Sequence, residues 1–206
     1  MALRGLNGNC NKLFLLDNSG LLYYGEGTTF YQKQYAGSGI GAFTDIDYAN
    51  GRLVSVNGGF VRVSTAQHLT TPIASTGGNA LANSAISASG TTYTDVTIGV
   101  LGQLNTIYAI TSTGAVQRYS GTGTTWTTLP APPANATAIT VDPNNNPWVV
   151  LSNGNIATYT GSSWKELYVK TPGNNTNFVN YFYTTSPFSI TESAPTGGYT
   201  NTNIQH

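Results

Sequence analysis

Two histidines, eight acidic residues and three tryptophans are the main groups from which this 206-residue chain could build a reactive or binding site. A neutral-pH base would have to be His68 or His206, and neither stands beside a serine or cysteine in a nucleophile-elbow setting. Asp45 and Asp95 are better placed, because each follows a threonine in a matching triplet, Thr44-Asp45-Ile46 and Thr94-Asp95-Val96. Two facing carboxyls are what glycoside hydrolysis requires. Recurrence at one repeat position fits a structural hydrogen bond to a neighbouring backbone better, and no catalytic residue is expected. The stretch from Asp142 through Asn144, Asn145 and Asn146 to Pro147 offers oxygen ligands but lacks the mid-loop glycine and closing glutamate of a calcium loop. It reads as a turn, with neither metal nor cofactor expected. Tyr119, Trp126, Tyr159 and Trp164 lie near glycine-rich turns, where a flat ring beside Asn and Thr donors suits a sugar. Phe14, Tyr108 and Trp148 sit among apolar neighbours and read as packing.

The elements that must position these groups recur. Residues 138–167 read as four short strands: apolar and polar residues alternate, Asp142 to Pro147 breaks the first pair, and Asn153-Gly154 turns the second. With the hairpin glycine as origin, Gly20, Gly58, Gly114 and Gly154 mark four copies spaced 38, 56 and 40 residues apart. Six residues earlier stand Phe14, Tyr108 and Trp148, and four earlier stand Leu16, Val54, Ile110 and Val150. The second copy departs most, with Arg52 or Leu53 replacing the aromatic according to whether Gly58 or Gly59 is aligned. A period of about 40 residues with four strands per copy predicts an all-β fold, a β-propeller of about four four-stranded blades, a fifth being open. The blades are expected at 3–35, 43–73, 93–129 and 137–167 within a 1–169 propeller. Residues 75–92, nearly all small, read as an insertion loop with one helical turn at 80–86, and residues 170–206 as a C-terminal arm or partial extra blade.

Composition narrows the partners. Eight basic residues balance eight acidic ones, and only 8% of the chain is charged against the roughly 25% usual for soluble domains. No basic stripe stands ready for phosphates and no long apolar run for a bilayer, so neither nucleic acid nor membrane insertion is expected. The lone Cys10 cannot form an internal disulfide. The first residues show no basic segment followed by an apolar one, so no signal peptide is read there. An uncharged polar surface without a secretory signal points to a virion component, extracellular after host lysis, with cytoplasmic or secreted location as the alternative.

The fourth copy resembles the tectonin repeat through Ile139, Val141, Trp148, Val150, Gly154, Ile156, Tyr159, Gly161 and Trp164, and the third is similar through Val96, Ile98, Tyr108, Ile110, Gly114, Val116, Tyr119, Gly121 and Trp126. The resemblance implies recognition of glycans rather than chemistry, with similar modules on phage tails. The expected function is therefore a non-enzymatic virion surface or tail-associated protein. It is expected to be oligomeric, to bind other virion proteins or copies of itself, and to touch host-surface glycans. A free glycan-binding lectin is the alternative, and a glycoside hydrolase using Asp45 and Asp95 a distant third.

Overall fold

A computed structural model describes residues 12–16, 19–26, 29–35, 42–65, 80–81 and 84–167. The first meander is β1 (Lys12–Leu16), β2 (Leu22–Glu26) and β3 (Thr29–Tyr35); the second is β4 (Phe43–Ala49), β5 (Arg52–Asn57) and β6 (Phe60–Thr65). Two short strands follow, β7 (Ala80–Leu81) and β8 (Ser84–Ala85), and they return to the first two sheets, β7 parallel to β3 and β8 antiparallel to β6. The third blade is β9 (Tyr93–Ile98), β10 (Ile107–Thr111), β11 (Val116–Tyr119) and β12 (Trp126–Thr128). The fourth is β13 (Ala136–Val141), β14 (Pro147–Leu151), β15 (Ile156–Tyr159) and β16 (Trp164–Leu167).

Residues 75–92 thus differ from expectation. In place of a passive loop with a helical turn, they carry β7 and β8 and bury Ile86 and Ser87, whose hydroxyl accepts the Val61 N–H at 2.7 Å. Two-residue strands of small side chains leave no periodicity to read; only the backbone ladder makes them strands. The start of the first expected blade at residues 3–11, the end of the second at 66–73 and the arm at 170–206 lie outside the described residues.

The blades are joined by the same device three times. The carbonyl of each hairpin glycine accepts the N–H that opens the next inner strand: Phe43 to Gly20 at 3.0 Å, Tyr93 to Gly59 at 2.9 Å, and Ala136 to Gly114 at 3.1 Å. Gly59, not Gly58, therefore holds the repeat position, and the second hairpin is one residue shorter. A second recurrence fixes the strand equivalence. Thr44, Thr94 and Thr137 each sit at a break in inner-strand register, and their hydroxyls donate to Val56, Ile110 and Val150. Val56 rather than Val54 is thus the partner of Ile110 and Val150. A bulge of this kind turns the residue after it, which in blades 2 and 3 is the aspartate.

Between blades lie three apolar cores, the main favourable contribution to stacking. Phe14, Leu16 and Leu22 of blade 1 meet Phe43, Ile46 and Leu53 of blade 2, and Phe14 lies 5.0 Å from Tyr48. Val54, Val56, Val61 and Val63 of blade 2 meet Val96, Ile98, Ile107 and Ala109 of blade 3. Ile110 and Val116 then meet Ala136, Val149, Leu151 and Ala157 of blade 4.

The junction glycines carry a paired prediction. Gly114 and Gly154 both hold positive φ, 81° and 84°, but a Cβ on Gly114 would stand 2.5 Å from that of Asn135 in the next blade, whereas Gly154 faces open space. Gly154→Ala is expected to cost about 1 kcal/mol from backbone strain alone, and Gly114→Ala at least about twice that. Urea unfolding of the two variants checks it; equal losses would mean that Gly114 does not touch blade 4.

Candidate functional site

The recurring Thr-Asp pair lands where three inner strands run side by side. Asp45 on β4 accepts the Val96 N–H of β9 at 2.9 Å, and Asp95 on β9 accepts the Ile139 N–H of β13 at 3.1 Å. Asp47 repeats the move two residues on, taking the Ile98 N–H at 2.9 Å and the Thr97 hydroxyl at 2.7 Å. These are bonds between blades, made by a side chain that the threonine bulge has aimed at the neighbour.

Asp45 and Asp95 also hydrogen-bond to one another. Burial pushes the Asp45 carboxyl up to about 9, and the hydrogen bond and negative charge of Asp95 push the same way, against a smaller pull from the Val96 and Ile46 amides. The pair therefore shares a proton at neutral pH. Carboxyls that flank a glycosidic bond stand about 5–9.5 Å apart. Two in direct contact leave no space for that bond, so this pair does not have the hydrolase geometry.

The expected sugar-binding aromatics form two equivalent pairs. In blade 3, Tyr119 packs 5.2 Å from Trp126, which lies 5.1 Å from Tyr93, and the Trp126 indole donates to the Ile86 carbonyl at 2.6 Å. In blade 4, Tyr159 lies 5.3 Å from Trp164, whose indole donates to the Pro130 carbonyl at 2.7 Å. Each tyrosine hydroxyl closes its own glycine turn, Tyr119 on Gly123 and Tyr159 on Gly161. Ile86 follows the outer strand of blade 2 and Pro130 that of blade 3, so each tryptophan fastens its blade to the one before. Tyr119 is only 2% exposed, so its ring offers no face to a sugar. Trp126 is partly buried against the same core, while Tyr159 and Trp164 remain half-buried.

Asp142 uses its carboxylate on its own loop, accepting from the Asn144 and Asn146 amides at 2.8 and 2.9 Å and from the Asn146 side chain at 3.0 Å. Burial alone would raise this carboxyl; the donors of Asn146, Asn144 and Trp148 outweigh it and hold the group below its ordinary value. Among the described residues no three acidic, histidine or cysteine side chains gather as metal ligands. His68 and His206 lie outside those residues.

Sequence reasoning missed one concavity, an open cleft of about 900 Å³ between the outer parts of blades 2 and 3, lined by Arg52, Phe60, Leu104, Tyr119 and the Gly121–Gly123 turn. Arg52, read only as a departure from the repeat, donates there to the Gly102 carbonyl. Phe60 is exposed, and the Arg62 guanidinium lies 5.9 Å from its ring. The exposed phenylalanine beside the odd second hairpin was the signal available.

Similar solved structures place this geometry. Streptogramin B lyase is 13% identical over 84% of this chain and 55% of its own, with a TM-score of 0.57. The fold is a β-propeller. The WD40 propeller domain of Doa1 is 10% identical over 79% of this chain and 51% of its own, at 0.54. YCF48 bound to a D1 peptide is 12% identical over the same 79% and 51%, at 0.53. This propeller chain spans about half the length of those it matches. No family model and no curated protein matches it. Lyases and a WD40 domain share the architecture, so the fold by itself does not assign an activity.

Proposed function

We propose that this chain is a non-enzymatic, tectonin-like propeller of a virion surface or tail, which works by adhesion, with host-surface glycans as its ligands. The observation that carries the reading is the use made of Asp45 and Asp95: the acids repeated near the hub join blades and each other instead of standing free for chemistry. Two further features agree with it. The surface draws its polarity from Thr, Ser, Asn and Gly in a chain only 8% charged, as an exposed particle component would. The half-buried Tyr159–Trp164 pair keeps ring surface beside a glycine turn, the mixture of apolar face and nearby donors that a sugar needs. The similar YCF48 propeller is bound to a peptide, and a protein partner on the particle is the corresponding expectation here.

Two measurements test this. Purified particles are expected to contain the protein in stoichiometric amount; its absence from every particle would remove the virion reading. On a carbohydrate array the chain is expected to hold a restricted set of glycans, with at least a tenfold loss in Trp164→Ala that retains its fold. Retention that ignores Trp164→Ala takes the pair out of the site. Polysaccharide turnover abolished by Asp45→Asn would favour the hydrolase alternative.

A further inference from the structure

Strands β2, β6, β11 and β15 hold equivalent places in the four blades, and one of them breaks the pattern. Opposite Phe14, Val54, Tyr108 and Trp148 stand Tyr24, Val63, Arg118 and Thr158. Blade 3 puts a charge where the others put a neutral residue. Arg118 is exposed, whereas Val63 is buried in the core between blades 2 and 3. The Arg118 Nε donates to the Asn105 carbonyl at 2.8 Å, and the guanidinium carbon lies 5.9 Å from the centre of the Tyr108 ring. Among the described residues no carboxylate pairs with Arg118, and its Nη groups donate to none of them.

The aromatic pair of blade 4 faces the same gap. Arg118 follows Val116 by two residues, on the side of blade 3 turned to blade 4; Tyr159 follows Ala157 by two, on the side of blade 4 turned back. Trp164 is the register partner of Tyr159 and packs on the core between these blades. The Tyr108 hydroxyl senses what surrounds it: burial raises its pKa most, Arg118 draws it down, and Asp142 and Tyr159 raise it further. Asp142 and Glu166 are already engaged. The first accepts from Asn144 and Asn146 in its own loop, the second from Asn153 and Asn155. At the equivalent positions between blades 2 and 3, Tyr119 is enclosed and Val63 stands in place of the arginine.

Taking the glycan reading as given, we infer that the gap between blades 3 and 4 takes an acidic sugar, its ring against the Tyr159–Trp164 pair and its carboxylate on Arg118. A guanidinium held at Nε and over a ring keeps its Nη edge for a ligand, and that edge meets a carboxylate in two parallel hydrogen bonds. Little side-chain freedom is then lost on binding. The half-buried rings supply the apolar face that a sugar stacks on, and the exposed Asn105 and the exposed Ser162 and Ser163 stand nearby for its hydroxyls. Uronic and sialic acids share this chemistry, a carboxylate carried directly on a pyranose ring. A neutral sugar would use the aromatic pair and leave the arginine in water.

An array that sets uronic-acid and sialic-acid glycans beside their carboxyl-reduced forms tests this with the full chain. The unaltered protein is expected to hold one acidic class about tenfold more tightly than its reduced form, the worth of one charged hydrogen bond, and to lose that preference as salt is raised. Arg118→Gln, at an exposed position, is expected to abolish the preference with its fold intact, and Arg118→Lys to keep part of it. Trp164→Ala is expected to weaken both forms alike. Equal retention of acidic and reduced glycans overturns the proposal and leaves the glycan reading standing. A preference that survives Arg118→Gln, or that ignores salt, overturns it in the same way. An array on which nothing is held overturns both.

Discussion

Asp45→Asn is expected to stabilise the protein at pH 8 and to flatten a pH dependence that runs opposite to that of an ordinary salt-bridged acid. Asp45 binds its proton far more tightly folded, with a carboxyl near 9, than unfolded, where the value is 3.8. Between these values the native state carries the extra proton, so stability is full below pH 3.8, falls with each step upward, and is lost as pH passes about 9. The slope has an upper limit of about 1.4 kcal/mol per pH unit. Three pH units at that limit are about 4 kcal/mol, so the unaltered protein is expected to melt up to roughly 10 °C lower at pH 8 than at pH 5. Asparagine keeps an acceptor for the Val96 N–H and offers a permanent donor to Asp95, so nothing has to be protonated. Asp142, held below its ordinary value, acts in the other direction but only in strong acid. Thermal melts from pH 5 to pH 9 check both chains. A wild-type protein that gains stability toward pH 8, or an Asp45→Asn variant that loses it, would contradict the shared proton.

Trp126→Ala is expected to cost about 3 kcal/mol, the low end of the range for a large aromatic removed from a core. Its ring touches Tyr93 and Tyr119, packs on the blade 2–3 core, and holds the Ile86 carbonyl. Trp164→Ala removes one aromatic neighbour and a solvent-exposed hydrogen bond to Pro130, and is expected to cost nearer 1 kcal/mol. The difference follows from position, since the two tryptophans occupy the same place in the repeat. Urea midpoints at constant slope measure it. Equal losses would show that the blade 3 pair is no more buried than that of blade 4.

Repetition made much of this architecture legible. Glycines 38 and 40 residues apart on either side of one longer interval of 56, with aromatic positions matching in three copies, place the hairpins, and the Thr-Asp triplets place two of the inner strands. What a single sequence hides is the neighbour each residue meets. Val150 and Ile110 are alike in type, and nothing local tells that one is covered and the other bare. Tyr119 and Tyr159 read alike for the same reason, yet blade 2 and Ile86 enclose the first. The second hairpin misleads because it is one residue shorter than the others, so that Gly58 aligns where Gly59 makes the bond. Residues 75–92 mislead because two strands of two residues each carry no periodicity to read. The recurrence of Asp45 and Asp95 was readable as structural, but their mutual hydrogen bond depends on two blades meeting at the hub, which no spacing encodes.

The hub is joined by these acids meeting between blades, and the carboxyl titration of Asp45 followed by ¹³C NMR tests that most directly. A midpoint near 9, brought down in Asp95→Asn, is the predicted result. An Asp45 that titrates at its ordinary 3.8 would show a solvated carboxyl with no partner at the hub, and the stacking described here would be wrong.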